Sequence, residues 1–199
     1  MPAASFEILD PASYRRVPWK NGGGVTLDIA GAHRPGFDPA GWDGMIWRLG
    51  RTRIEIPGPF SNLPGCDRLL AVIDGSGLVL HPAGRPARDV RQPFHAVRFA
   101  GEWPIDSELP AGPVGVLNLL ADRKAMAIAL SFVAAPAGAT LEAPHSIVLA
   151  LAPTRVRLDG VPVSLAQDGA ISIVGDGALA VDEGLVAIAA LTPVAAASA

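Results

Sequence analysis

Apolar residues along this chain gather in short, β-prone runs separated by glycine, proline and aspartate turns, which leave little room for a helix. In the first two thirds such runs fall at 25–29, 46–56, 69–73, 78–81, 94–99 and 114–120. Successive strand residues face opposite sides, so in the second run Trp47, Leu49 and Arg51 point one way and Arg48, Gly50 and Thr52 the other. The pattern does not say which side faces the interior. Two apolar runs around Asp74-Gly75-Ser76-Gly77 predict a β-hairpin. A turn of helix fits 121–126.

From about Met126 onward alanine, valine and isoleucine take over and charged side chains thin out, yet the strand rhythm persists at 127–133, 147–151, 155–158, 170–174, 178–181 and 185–191. Pro153, Asp159-Gly160, Asp168-Gly169 and Gly175-Asp176-Gly177 separate these runs, and only 164–167 is helix-compatible. Short strands at this spacing, without interleaved helices, predict an all-β sandwich or barrel and not a parallel α/β sheet. The expected organisation is a first barrel at 1–125 and a second, degenerate copy at 126–199, with strands open to exchange between them.

Composition narrows the partners. With 199 residues, 50% hydrophobic and 18% charged, the chain can bury a sizeable core without disulfides or metals. A net charge of −3 leaves no basic excess to neutralise phosphates, so no nucleic-acid partner is expected. The single cysteine, Cys66, allows no internal disulfide. Met1-Pro2-Ala3-Ala4-Ser5-Phe6-Glu7 has neither the positive start nor the apolar run of a secretory signal, so a cytoplasmic protein is expected. The uncharged stretches 125–141 and 184–199 contain proline and fall short of the ~20 apolar residues a spanning helix needs, so no membrane span is expected.

Two segments could carry chemistry. In Pro18-Trp19-Lys20-Asn21-Gly22-Gly23-Gly24-Val25-Thr26, consecutive glycines permit close backbone approach. No Gly-Lys-Ser/Thr ending follows, and the run leads into a strand instead of a helix N-terminus, so a phosphate cradle lacks its physical basis. The second segment runs from Gly58-Pro59-Phe60-Ser61-Asn62 through Cys66-Asp67-Arg68 into the strand at 69–73, an outline similar to the first motif of the cupins. Phe60, Ser61 and Asn62 stand where metal-binding cupins carry histidines, and Asp67 and Arg68 stand near their glutamate. His33, His81, His95 and His145 are scattered singly, so neither a metal nor another cofactor is expected. His95, just after Pro93, is the one histidine placed where cupins put their last ligand.

Together these segments resemble the HutD/Ves family, a branch of the cupin superfamily. The matching residues are Trp19-Lys20-Asn21-Gly22-Gly23-Gly24-Val25-Thr26, Trp47-Arg48, Gly58-Pro59-Phe60-Ser61 and Pro64-Gly65-Cys66-Asp67-Arg68. Gly101-Glu102-Trp103-Pro104-Ile105, Leu109-Pro110-Ala111-Gly112-Pro113-Val114, Asn118 and Arg123 follow in the same order. Gly115-Val116 departs from the family's acidic residue, Leu120 replaces a common methionine, and Arg51-Thr52-Arg53-Ile54-Glu55 is more charged than usual. The resemblance implies a bicupin of double-stranded β-helix barrels, associated in some bacteria with histidine utilisation. It also implies a regulatory role through binding an acid such as N-formimino-glutamate, whereas Ves-type relatives are linked to cold stress.

A small-molecule carboxylate needs fixed cations, and guanidinium forks hold carboxylates in pairs of hydrogen bonds. The expected ligand site comprises Trp19, Lys20, Asn21, Arg48, Ser61, Asp67, Arg68 and Asn118, with Arg123 a further cation. Each has a structural alternative: arginines bridging to Asp67, Asp122 or Glu55, tryptophans in a core, asparagines bonded internally. Asp67 beside Cys66 argues against a thiolate nucleophile. Two other readings stay open. One is an isomerase or hydrolase with Asp67 or His95 carrying the proton, and the other is a homodimer formed through an apolar sheet face.

Overall fold

The computed structural model describes residues 5–19 and 23–195. Its first strands are β1 (Ser5–Leu9), β2 (Arg15–Pro18), β3 (Gly24–His33), β4 (Met45–Ile54), β5 (Cys66–Asp74), β6 (Leu78–Pro82), β7 (Arg88–Val90), β8 (Val97–Ala100), β9 (Ile105–Glu108) and β10 (Val114–Asp122). There follow β11 (Met126–Ala134), β12 (Ala137–Leu141), β13 (His145–Ala150), β14 (Thr154–Leu158), β15 (Val161–Leu165), β16 (Ala170–Val174), β17 (Gly177–Glu183) and β18 (Leu185–Pro193). Among the described residues the only helical element is the 3-10 turn Pro11–Ser13, so the class is all-β as the alternation predicts. Among the described residues no helix is long and apolar enough to cross a membrane.

The chain divides into two compact units, one of residues 15–126 and one that joins 5–14 to 127–195. The N-terminal strand thus belongs with the C-terminal unit, where β1 pairs antiparallel with β16 from Ser5↔Val174 to Leu9↔Ala170. In the 15–126 unit a six-stranded sheet, ordered β2-β3-β4-β10-β5-β8, is joined by a three-stranded sheet, β7-β6-β9. Ile54, Leu70, Val72, Leu78, Leu80 and Val116, drawn from both sheets, form its apolar core. In the other unit β1-β16-β13-β18-β11 accompanies β12-β17-β14-β15. Its strands alternate cleanly: in β14, Thr154, Val156 and Leu158 are buried while Arg155 and Arg157 face solvent and pair with Glu183 and Asp182.

Four expectations change in detail. The runs flanking Asp74-Gly75-Ser76-Gly77 are strands, yet β5 pairs with β10 and β8 whereas β6 pairs with β7 and β9, so the turn is a corner between sheets and not a hairpin. Gly75 and Gly77, at φ +84° and +87°, make that corner, and a Cβ on Gly75 would lie 2.7 Å from the Pro113 carbonyl oxygen. The stretch 164–167 is not helical because Leu165 and Val163 complete β15 against Thr154 and Val156. The run at 94–99 becomes extended only from Val97, since Phe94 sits at φ +59°. At 121–126 strand β10 continues to Asp122 and a tight turn follows in place of a helical one.

Candidate functional site

Inside the 15–126 unit the inward face of the large sheet is incompletely filled and leaves a cavity of about 600 Å³. Strand alternation decides what enters it. Arg48, Gly50, Thr52 and Ile54 of β4 line it, together with Asn118 and Leu120 of β10 and Arg68 of β5. Register brings these together: Leu120 stands opposite Arg48 on one side and Arg68 on the other, and Asn118 stands between Gly50 and Leu70. Gly50 lets β3 pack close over β4, because a Cβ there would lie 2.9 Å from the Thr26 methyl carbon. Val17, Trp19, Phe60 and Leu63 supply apolar wall, and Ala40, Gly41 and Trp42 reach in from the loop between β3 and β4.

The two buried arginines differ in their partners. Arg48, 6% exposed, donates through Nε to Asp28 Oδ1 at 2.8 Å and through Nη2 to Asp28 Oδ2. The same Asp28 Oδ2 accepts from Arg15 Nη2 at 2.7 Å, and Arg15 Nη2 also donates to the Pro39 carbonyl at 3.1 Å. The Arg48 guanidinium lies 4.8 Å from the Trp42 ring centre. Arg48 is therefore fixed and charge-compensated by a two-point bridge.

Arg68, 7% exposed, has no carboxylate partner among the described residues. Its Nη1 donates to the Ser61 carbonyl at 3.3 Å, its Nε is buried without an acceptor, and its guanidinium lies 4.9 Å from the Phe60 ring and 5.1 Å from the Phe99 ring. Burial pushes its pKa down from 12.5 to about 10, partly offset by Cys66, so it stays cationic at neutral pH. Asn118, 8% exposed, also carries an orphan: its Oδ1 is buried and accepts from no described group. Three other polar lining groups are bonded to one another, since Trp19 Nε1 donates to Thr26 Oγ1 at 3.0 Å and Thr26 Oγ1 bonds Thr52 Oγ1 at 3.0 Å.

Of the residues the sequence singles out, Trp19, Arg48, Ser61, Arg68 and Asn118 meet at this cavity. Asp67 does not, because it precedes Arg68 and faces the other side of β5. There it accepts from Arg98 Nη1 at 2.9 Å and Arg123 Nε at 3.1 Å. Arg123 is taken up by Glu102 at 2.6 and 2.7 Å, which holds the Glu102 carboxyl down to about 2. Lys20 and Asn21 lie outside the described residues. His95 is exposed and does not line the cavity. Burial, with Asp122 adding to it, pushes the Cys66 thiol up, away from a reactive thiolate. Among the described residues no three histidine, cysteine, aspartate or glutamate side chains converge as metal ligands.

Sequence reasoning missed Asp28, Trp42 and the Thr26–Thr52 pair. Asp28 carried a readable signal, a lone acid among apolar neighbours on the same strand face as Thr26. Trp42, in the polar loop between β3 and β4, carried none.

The sequence pattern of the HutD family matches residues 11–186. An uncharacterized 21.2 kDa protein from the hutC 3′ region of Pseudomonas putida is 36% identical over 117 residues, 59% of this chain and 58% of that protein. Protein Ves of Cronobacter sakazakii is 32% identical over 108 residues, 53% of this chain and 54% of Ves. The chain matches a little over half the length of these curated relatives. Among solved structures, a conserved protein of unknown function from Pseudomonas aeruginosa PAO1 superposes with a TM-score of 0.82 at 26% identity, over 94% of this chain and 99% of that one. HutD from Pseudomonas fluorescens SBW25 gives 0.79 at 26% identity, over 96% and 100%. A bacterial pirin from Escherichia coli in complex with nickel(II) gives 0.63 at 8% identity over 96% of this chain and 100% of the pirin, a likeness of fold alone. The architecture is cupin-like. With most of its length matched by the family pattern, this chain belongs to the HutD family.

Proposed function

We propose that the 15–126 unit binds a small carboxylate in its cavity without a metal ion, and that the protein acts in the cytoplasm as a binding or regulatory protein, not an enzyme. Arg68 carries this reading. A buried cation without a counterion costs stability, and a ligand carboxylate supplies the missing charge at a side chain that lines the cavity. Arg48, held by Asp28, offers a second positive edge one strand-pair away across Leu120. The described lining holds no carboxylate, imidazole or thiol to move a proton, and both Asp67 and His95 lie off the cavity, which favours binding over turnover. The place of the Pseudomonas putida relative beside hutC supports a ligand from histidine utilisation, such as a formimino-glutamate-like acid.

A thermal-shift screen of metal-stripped protein against histidine, urocanate, N-formimino-glutamate, N-formyl-glutamate and glutamate tests this. An acid held at ~100 times its dissociation constant stabilises the fold by ~2.7 kcal/mol, a visible shift. Stabilisation by one acid without metal is the expected result. Response to divalent metals alone would remove the proposal.

A further inference from the structure

We infer that Arg85, Arg88 and Trp103 form a docking point for an acidic segment of a partner protein, on the 15–126 unit but away from the residues that line its cavity. Charge is unevenly spread along this chain. Its net charge is −3, yet residues 85–98 carry four arginines against one aspartate. Two of the four are neutralised, Arg91 by Asp89 and Arg98 by Asp67. Arg85 and Arg88 have no carboxylate partner among the described residues, and both lie against one indole, their guanidinium carbons 4.0 and 5.3 Å from the centre of the Trp103 ring. The two cations are therefore no farther apart than these distances laid end to end, inside the ~10 Å over which salt screens charges.

Local structure holds this arrangement in place. The Ala83 N–H donates to the Pro104 carbonyl at 2.9 Å, which fastens the turn between β6 and β7 to the loop before β9, and the Arg85 N–H closes that turn on the Pro82 carbonyl at 3.2 Å. Trp103 packs against the apolar core of the unit, and Arg88 Nη1 donates to the Arg98 carbonyl at 2.9 Å. The acids next in sequence are already engaged, Asp89 by Arg91 and Glu102 by Arg123. Two like charges gathered on one ring repel each other, and a carboxylate from outside relieves that repulsion. A guanidinium stacked on a ring keeps N–H donors at its rim for such a group. Tryptophan and arginine are also the residues that carry much of the binding energy at protein interfaces, and Pro86, Ala87 and Pro104, all exposed, add apolar surface beside them. A nucleic-acid backbone suits this place less well. It gains from a run of uncompensated cations, and here two are bounded by the exposed acids of β7 and β9, Asp89, Asp106 and Glu108.

Fluorescence anisotropy of a labelled peptide, Glu-Glu-Leu-Glu-Glu-Leu, tests this, with its glutamine counterpart and labelled hexathymidylate for comparison. Wild type should bind the acidic peptide saturably and at least about 10-fold more tightly than either comparison. Arg85→Gln/Arg88→Gln should weaken that binding about 10-fold or more, and Trp103→Leu should weaken it with both charges still present. Arg155→Gln/Arg157→Gln removes the same charge from β14 of the other unit and should change it by less than about twofold, as should Arg68→Met at the cavity. Should the double variant at the docking point fail to fold, Arg85→Gln alone, at an exposed side chain, should still weaken binding about threefold or more. Absence of binding to wild type, hexathymidylate binding as tightly as the acidic peptide, or an equal loss in the β14 variant would each overturn the inference. Loss of binding in Arg68→Met would place the peptide in the cavity and overturn it as well.

Discussion

The two β units solve the same packing problem in opposite ways. In the unit built from residues 5–14 and 127–195, the interior is closed by aliphatic side chains: Val148, Val156, Leu158, Ile171, Ile173 and Val181 are at most 1% exposed and pack as one cluster. Its two arginines, Arg155 and Arg157, stay outside. In the 15–126 unit the corresponding space holds two arginines, an asparagine and a cavity of about 600 Å³. Packing maximises stability when interiors are dense and apolar, so an interior that keeps an uncompensated cation and an unpaired carbonyl oxygen is maintained at a stability cost. One interior is filled and the other keeps polar groups around a cavity.

Breaking the charge cluster should have the largest effect. Asp28→Ala strands Arg48 and Arg15 beside each other, and loss of one partner from a buried pair costs about 3–5 kcal/mol, measurable by urea unfolding. Ile171→Ala in the filled interior should cost about 2–5 kcal/mol through lost burial and a new cavity, with no change in ligand response.

Removing the uncompensated cation has the opposite sign. Arg68→Met should stabilise the free protein by about 1–4 kcal/mol and abolish the response to carboxylates. The pH dependence follows from the shift. Arg68 is a base whose pKa in the folded protein, about 10, lies below its ordinary 12.5, so its penalty is fully present below 10 and relieved as pH rises towards 12.5. The stability gap between Arg68→Met and wild type should therefore be constant through neutral pH and close above about 10, as followed by unfolding at stepped pH. A gap that varies around neutrality would point to another group.

The smallest effect belongs to the solvent-facing network. Glu102→Gln should change stability by about 1 kcal/mol or less, since exposed pairs are screened. Arg123 holds the Glu102 carboxyl at about 2 against its ordinary 4.5, so this contribution is present above 4.5 and disappears as pH falls to about 2.

Much of the contrast between the units was visible in the sequence, because alternation and turn residues are local signals. The thinning of charge after Met126 marks the filled interior, and the strands around Arg48, Arg68 and Asn118 lie where the alternation puts them. What failed was whatever depends on distant pairing. A glycine-rich turn reads the same whether its strands pair or part, so the corner between β5 and β6 looked like a hairpin. Short strands such as β7 and β9 carry too few apolar residues to announce themselves. Both faces of β4 are buried, with Trp47 at 5% exposure and Arg48 at 6%, so burial gave the sequence no polar face to set against an apolar one. Adjacent residues on a regular strand face opposite sides, so Asp67 and Arg68 could not both have lined the cavity. The Asp28–Arg48 bridge spans 20 residues of sequence, and only register reveals it.

The central claim is that the uncompensated charge of Arg68 receives a ligand carboxylate. Calorimetric titration of metal-stripped protein with the acid that most stabilises it, carried out in parallel on Arg68→Met, tests this most directly. Saturable binding to wild type, lost in a variant whose unfolding midpoint is equal or higher, is the predicted result. Undiminished binding to Arg68→Met would contradict the account.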